Sequence, residues 1–177
     1  MESSEVTVKR SLLFIETAAM AVLVLLDQIT KIAAEGGLKG KESLVRIPGV
    51  LEFFYLENHG AAFGVLQKAR GFFLLVTFLA MAAVFYVLTR MPADRKYLPL
   101  RILVVLIGAG AVGNVIDRIV FSYVRDFIYF SLIDFPVFNV ADIYVTCATV
   151  LLALTILFYY KDDHDFDFLY RKKGRDK

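Results

Sequence analysis

The chain has 177 residues, a length that suits one domain, and 58% of them are hydrophobic. The mean hydropathy of +0.63 excludes an ordinary soluble protein and indicates a membrane protein. A net charge of +2 is too small to argue for a nucleic-acid partner, and the single cysteine, Cys147, excludes an internal disulfide.

Four long apolar stretches predict four transmembrane helices in a single membrane domain over residues 1–177. The predicted spans are 11–34, 71–89, 100–121 and 139–160. The first span follows two basic residues, Lys9 and Arg10, and the apolar part of a signal peptide also follows basic residues. Because it continues past Asp27 to a length that can cross a bilayer, we expect a retained helix that ends at Gly36-Gly37.

Two longer loops lie on one side of the spans, over residues 35–70 and 122–138. Residues 44–47 and 50–57 flank a Pro48-Gly49 turn and predict a β-hairpin. Residues 123–130 alternate and are rich in Tyr, Phe and Ile, which is typical of a strand. The predicted fold class is an all-α polytopic membrane protein, with four transmembrane helices and a small β-structured extracytoplasmic platform.

The distribution of basic residues predicts the orientation. Twelve of the twenty Lys and Arg residues lie in the N-terminal segment, the loop 90–101 and the tail 161–177. The positive-inside rule assigns this side to the cytoplasm, so we expect both termini there and the two longer loops outside. The tail is charged, and we expect it to be mobile.

Polar residues of three spans reach one level in the membrane. At 1.5 Å per residue, Asp27 lies about 22 Å along the first span and Asn114 about 21 Å along the third. Asp142 lies about 27 Å from the cytoplasmic end of the fourth. The apolar core of a bilayer is about 30 Å thick, so all three lie near its outer boundary, where Asn58 and Asp126 arrive from the loops. This convergence predicts a site just below the outer membrane surface.

Most of these residues also have a simpler structural interpretation. Asp27 and Lys31 have the spacing of a helix ion pair. Asn139 and Asp142 have the spacing of a capping box at the start of the fourth span. Asp126 is harder to explain in this way, because it lies among apolar and aromatic residues.

The carboxylates indicate a chemistry. Two carboxylates in one apolar site do not both ionise readily, so one of them holds a proton. Such a pair can activate water and protonate a leaving amine, which is aspartic-protease chemistry, and Asp126 and Asp142 are the candidates. We expect no metal and no cofactor, since no His or Cys joins them. Asp117 points off the shared helix face, and we expect it to pair with a neighbouring Arg or Lys.

Two other functions are compatible with the same residues. A small four-helix transporter, coupled to protons or cations, would use Asp126, Asp142 or Glu16 as a relay or binding group. Such a protein would need its key carboxylate near mid-bilayer and short loops, whereas here the polar groups cluster on one side. A membrane scaffold that assembles through Asp–Arg pairs is the second alternative.

Five short motifs resemble those of the bacterial lipoprotein signal peptidases, also called signal peptidase II, and occur in that family's order. They are Asp27-Gln28-Ile29-Thr30-Lys31 (D-x-x-T-K), Asn58-His59-Gly60-Ala61-Ala62-Phe63 (N-x-G-A-A-F), Gly113-Asn114-Val115-Ile116-Asp117-Arg118 (G-N-x-x-D-R), Val124-Arg125-Asp126-Phe127 (V-x-D-F) and Phe138-Asn139-Val140-Ala141-Asp142 (F-N-x-A-D). One such motif would be a weak signal, whereas five in order form a strong one. His59 stands where the family more usually has Thr.

The resemblance implies an intramembrane aspartic endopeptidase that removes signal peptides from diacylglyceryl-modified prolipoproteins, cleaving just before the lipidated Cys. By motif position, Asp126 and Asp142 would be the catalytic dyad. The residues that support the site or bind substrate would be Asp27, Lys31, Asn58, Gly60, Asn114, Arg118 and Asn139. The partners would be prolipoprotein substrates and membrane lipids, and we expect a monomer. The location would be the bacterial cytoplasmic (inner) membrane, with a multi-pass chain and the active site near the outer face.

Overall fold

A computed structural model of the chain describes residues 2–60 and 70–170. Within them the elements are α1 (Glu2–Leu38), β1 (Leu44–Ile47), β2 (Leu51–Asn58), α2 (Arg70–Arg90), α3 (Leu98–Val120), β3 (Val124–Tyr129), α4 (Val140–Phe158) and α5 (Asp167–Tyr170). Helices α1 to α4 are long and apolar enough to cross a membrane, which confirms the predicted fold class together with the three-stranded sheet. Residues 61–63 of the predicted Asn58–Phe63 motif lie outside the described residues.

Helix α3 forms the centre of the bundle, and α1, α2 and α4 each pack against it. Half of its most apolar window is buried, against 11% in each of the other three helices. Glycines permit the close approach, since Gly108 faces Met20 of α1 and Gly110 lies against the backbone of α4 at Ala141. A Cβ on Gly110 would overlap the Ala141 carbonyl oxygen, so a side chain there would push the two helices apart.

The outward faces of the other helices are apolar and exposed. Phe14 of α1, Phe78 and Phe85 of α2 and Phe158 of α4 each expose 68% or more of their surface. A continuous exposed apolar surface of this kind marks contact with lipid in a bundle of membrane-spanning helices.

Helix α1 passes through Gly36 and Gly37, where the sequence predicted its end, and stops at Leu38. A side chain at either glycine would meet nothing within 4 Å, so both lie on an open surface. There a glycine costs a helix only about 1 kcal/mol relative to alanine, which is too little to end it. The chain leaves the helix at Gly40, which adopts a φ of 73°, a left-handed conformation that glycine tolerates.

The sheet has the order β1-β2-β3, with antiparallel neighbours. The predicted hairpin of β1 and β2 is confirmed, and its turn contains Gly49 at a φ of 69°. Strand β3 pairs with the other edge of β2, with Leu56 opposite Asp126 and Asn58 opposite Val124. This register brings the end of β2 close to Asp126.

The tail after α4 packs against the connection between α2 and α3, so the prediction of a mobile tail is wrong as far as Tyr170. The buried Tyr160 stacks on Tyr97 with ring centroids 5.8 Å apart and donates its hydroxyl proton to the Lys96 carbonyl at 2.8 Å. Asp165, also buried, forms an ion pair with Lys96. Aromatic rings among the charges provide the apolar area that holds this segment in place.

A buried ion pair joins α1 and α3 at the same end of the bundle. Glu16 is 8% exposed and Arg101 is 4% exposed, and Nη1 of the guanidinium donates to the Glu16 carboxylate. Nη2 of Arg101 donates to the carbonyl of Met91, just after α2, at 2.7 Å. One guanidinium therefore connects three helices.

We expect Arg101→Leu to destabilise the protein by about 3–5 kcal/mol, because it leaves the Glu16 carboxylate buried without its partner. The double variant Glu16→Leu, Arg101→Leu should recover part of this loss, since no uncompensated charge remains. Thermal unfolding in detergent micelles measures both. Asp167→Asn, which removes the exposed pair with His164, is the control and should leave the unfolding temperature nearly unchanged. A double variant less stable than Arg101→Leu would contradict this account.

Candidate active site

Asp126 and Asp142 come together because the loop between them folds back. Ile128 and Phe138 form an antiparallel bridge, with N–H to carbonyl distances of 2.8 and 3.0 Å. The bridge places Asn139, which immediately precedes α4, beside strand β3 and its Asp126. Asp142 then follows in the first turn of the helix.

Asn139 is hydrogen-bonded to both carboxylates. Its side-chain amide donates to Asp126 Oδ1 at 2.6 Å, and its backbone N–H donates to Asp142 Oδ2 at 3.1 Å. In return, the Asn139 side-chain oxygen accepts from the Asp142 N–H at 3.1 Å. The predicted capping box is therefore present, and the same bonds that begin the helix orient the Asp142 carboxylate.

Each carboxylate also receives a second amide donor. Nδ2 of Asn58 donates to Asp126 Oδ2 at 2.8 Å, and Nδ2 of Asn114 donates to Asp142 Oδ1 at 2.7 Å. The Asn58 amide is itself oriented by Gly60, whose N–H donates to its side-chain oxygen at 3.0 Å. All four carboxylate oxygens thus accept one bond from an amide, which leaves their other lone pairs for a proton, water or substrate.

A buried ion pair of α1 supports the site from behind. Nζ of Lys31 lies 2.9 Å from Asp27 Oδ2, and both side chains are 0% exposed. Lys31 also donates to Asn114 Oδ1 at 3.0 Å, which fixes the direction of that amide. Asp27 Oδ1 accepts from the Ala141 N–H at 3.0 Å, so a carboxylate of α1 satisfies the N-terminus of α4. Gly113 leaves room for this contact, since a Cβ there would lie 2.5 Å from Asp27 Oδ2.

Arg118 lies beside a cleft that leads to Asp142. Its guanidinium is 4.6 Å from the ring centroid of Phe73 in α2, and it donates to the Asn114 carbonyl at 3.5 Å. The cleft has a volume of about 270 Å³, lies between α2, α3 and α4, and contains Asn114, Arg118 and Asp142 at one end. The structure therefore brings all nine predicted site residues into one connected group.

Three residues outside the predicted set complete the surroundings. Asp117 accepts from the Arg125 backbone N–H at 3.0 Å and from its guanidinium at 2.8 Å, which confirms that Asp117 is paired. Gln28 donates to Asp117 at 3.3 Å and accepts from Arg125 at 2.9 Å. Because Arg125 precedes Asp126, this group sets the position of the strand that carries it. Gln28 and Arg125 occupy variable positions of the motifs, next to Asp27 and Asp126. This position beside predicted site residues is the feature of the sequence that could have identified them.

The electrostatics of the site favour a shared proton. Asp126 is 1% exposed, and burial together with the charge of Asp142 raises its pKa to about 7. The amides of Asn58 and Asn139 act in the opposite direction, since they stabilise the ionised form. Near neutral pH the two carboxyl groups can therefore hold one proton between them. Among residues 2–60 and 70–170, no group of three or more His, Cys, Asp or Glu side chains could hold a metal ion.

The known proteins that this chain resembles in sequence are signal peptidases. The model of the family described as signal peptidase (SPase) II matches residues 19–158. The lipoprotein signal peptidase of Clostridium tetani is 40% identical over 143 residues, which cover 79% of this chain and 88% of that protein. The lipoprotein signal peptidase of Streptococcus pyogenes serotype M5 is 36% identical over 138 residues, 78% of this chain and 90% of that protein.

Solved structures share the fold. A bacterial membrane enzyme determined by the in meso method at 2.3 Å resolution has a TM-score of 0.74 at 28% identity, over 90% of this chain and 94% of its own. A second, at 1.9 Å resolution, has a TM-score of 0.72 at 31% identity, over 81% of this chain and 93% of its own. With four membrane-spanning helices and a family match that contains both carboxylates, this chain is a multi-pass membrane protein that belongs to the signal peptidase II family.

Proposed function

We propose that this protein is an intramembrane aspartic endopeptidase, which removes signal peptides from diacylglyceryl-modified prolipoproteins by cleaving just before the lipidated Cys. The observation that carries the proposal is the pair Asp126 and Asp142, joined through Asn139 beside a cleft between the helices. Family membership supports the substrate class, because the relatives are named for the processing of lipoproteins.

The two carboxyl groups take different parts in the proposed reaction. Asp126 is the more buried of the two, whereas Asp142 is half-buried. In the proposed reaction we therefore assign the proton to Asp126 and the negative charge to Asp142. Asp142 removes a proton from a water molecule as the water oxygen attacks the carbonyl carbon of the scissile bond. Asp126 gives its proton to the carbonyl oxygen, and the product of this step is a gem-diol.

The carbon–nitrogen bond breaks in the second step. Asp142 gives the proton it took from water to the leaving nitrogen, while Asp126 regains a proton from one hydroxyl of the gem-diol. The products are a carboxyl group on the signal peptide and a free amino group on the lipidated Cys. The pair returns to its starting protonation state, so no other reactant is needed.

The proposed orientation has both termini in the cytoplasm and the site near the outer face of the bacterial membrane. It is supported by the basic residues at the opposite end and by the sheet, which lies beside the carboxylates. A signal peptide crosses the membrane with its carboxyl end outwards, so its scissile bond would arrive at this level while the diacyl chains remain in lipid.

The geometry favours a peptidase over a proton- or cation-coupled transporter. A transporter uses carboxylates close to the midplane of the membrane. Here Asp126 belongs to a strand outside the four helices, and Asp142 lies in the first turn of α4. Glu16, which a relay could have used, is paired with Arg101 at the other end of the bundle.

We expect Asp126→Asn and Asp142→Asn each to lower the cleavage rate by at least about 10²–10⁴-fold, because each removes one acid–base group. The assay follows the loss of the signal peptide from a diacylglyceryl-modified prolipoprotein in mixed micelles. Thermal unfolding should show that both variants remain folded. Asp134→Asn is the matched control, since this exposed carboxylate of the same loop bonds to Tyr129 alone among the described residues, and the variant should keep full activity. Full activity in Asp126→Asn or in Asp142→Asn would show that these two residues are not the catalytic pair.

The pH profile should have a falling limb that begins near pH 7, because kcat/KM declines as Asp126 loses its proton. Asn58→Leu removes a donor that stabilises the ionised carboxylate, which raises the pKa of Asp126 further and moves the limb to higher pH. Rates of cleavage measured across pH test this. Glu57→Gln, a change at the adjacent residue, should leave the limb in place, and a limb that moves to lower pH in Asn58→Leu would contradict the assignment.

A precursor whose Cys carries no diacylglyceryl group should be a poor substrate, with kcat/KM lower by at least about tenfold, because acyl chains contribute about 0.8 kcal/mol per buried CH₂ to retention in the membrane. Cleavage of matched modified and unmodified precursors measures the difference. Equal rates would show that the enzyme does not recognise the diacylglyceryl group, although the peptidase activity would still be established.

A further inference from the structure

The threonines of the membrane-spanning helices differ in how their hydroxyl groups are bonded. Thr17, Thr30, Thr89 and Thr155 each donate to a carbonyl of their own helix, at 2.7 to 2.9 Å. This is the usual way in which a hydroxyl is satisfied in an apolar helix. Thr77 of α2, together with Thr146 and Thr149 of α4, makes no such bond and none to any other described residue.

Two of these three, Thr77 and Thr146, line the same cleft as Asp142, whereas Thr149 does not. Thr146 lies one turn further along α4, about 6 Å from Asp142 along the helix axis. Thr77 approaches from α2, on the opposite wall, and the surrounding lining is apolar, with Val76, Ile107 and Val145. The cleft therefore continues away from the carboxylates as an apolar groove with two free hydroxyl groups.

A substrate that reaches an aspartic dyad from lipid meets a physical difficulty. A signal peptide in the membrane is helical because its backbone groups have no other partners there. Cleavage requires an extended segment at the scissile bond, and the N–H and C=O groups of that segment lose their helical partners. In an apolar groove those groups would remain unsatisfied at considerable cost unless the protein supplies partners.

We propose that Thr77 and Thr146 form a binding subsite for the extended backbone of the signal peptide, on the amino side of the cleaved bond. The proposal rests on the proposed peptidase function. An extended chain advances about 3.3 Å per residue, so the distance from Asp142 to Thr146 corresponds to about two residues before the cut.

A hydroxyl group can donate to a carbonyl and also accept from an N–H, whatever side chain the substrate carries. The subsite therefore recognises the extended conformation of the peptide and stabilises it in the groove. This distinguishes the two threonines from the dyad, because they bind substrate without taking part in proton transfer.

Thr77→Val and Thr146→Val test the subsite, since valine keeps the shape of the side chain and removes the hydroxyl. Each is expected to raise the KM for a diacylglyceryl-modified prolipoprotein about two- to tenfold, and the double variant more, with kcat little changed. Thr77→Ser and Thr146→Ser retain a hydroxyl and should keep a KM near the wild-type value. Thr149→Val is the matched control on α4, because Thr149 is exposed and unbonded like Thr146 but lies outside the lining of the cleft.

A binding measurement separates this proposal from the peptidase proposal. In the Asp126→Asn background the precursor stays intact, and the two Val substitutions should raise its Kd by the same factor as the KM. If wild type cleaves and the double Val variant keeps the wild-type KM and Kd, the subsite is overturned and the peptidase function stands. A rise in KM that also occurs in Thr149→Val would overturn it too. If wild type does not cleave the substrate, both proposals fail together.

Discussion

The amide of Asn139 is the contact on which the arrangement of this site depends. It bonds to a carboxylate of the sheet through its side chain and to a carboxylate of α4 through its backbone. Asn139 is 0% exposed, and its side-chain nitrogen also donates to Asn114 at 3.1 Å, so its bonds are not readily exchanged with water. In a membrane setting, where unpaired polar groups are costly, such bonds couple the start of a helix to the position of a strand.

The buried charged groups around Asp126 and Asp142 are paired with one another. The charge of Lys31 lowers the pKa of Asp126, since a nearby cation stabilises a carboxylate. Its charge is shared with Asp27 at 2.9 Å and Asp117 at 3.6 Å. Arg125 is likewise engaged by Asp117 and by Glu35 at 3.3 Å. Burial and the charge of Asp142 raise the pKa of Asp126, while the amides of Asn58 and Asn139 and the charge of Lys31 act in the opposite direction.

The parts that could be predicted from the sequence follow constant local geometry. Helix rise is fixed, so a count of residues put Asp27, Asn114 and Asp142 at one level, and the structure connects them by hydrogen bonds. The side chains of a strand alternate between its two faces, so alternation in the sequence predicted the strand that became β3. The docked tail and the Gln28 contacts could not be predicted, because they depend on which way side chains turn in three dimensions, and no periodicity in the chain records that.

Hydrogen bonding distinguishes the carboxylates of Asp27 and Asp117 from that of Asp142. Asp27 and Asp117 are fully engaged by neighbouring donors, and neither lines the cleft, so each is explained by the fold it supports. Asp142 retains lone pairs toward the cleft, and the hydroxyls of Thr77 and Thr146 have no partner among the described residues. Membrane proteins rarely leave polar groups unpaired at depth without a functional use. In the proposed complex, a substrate backbone in the cleft would supply hydrogen-bond partners to Asp142, Thr77 and Thr146, which line it.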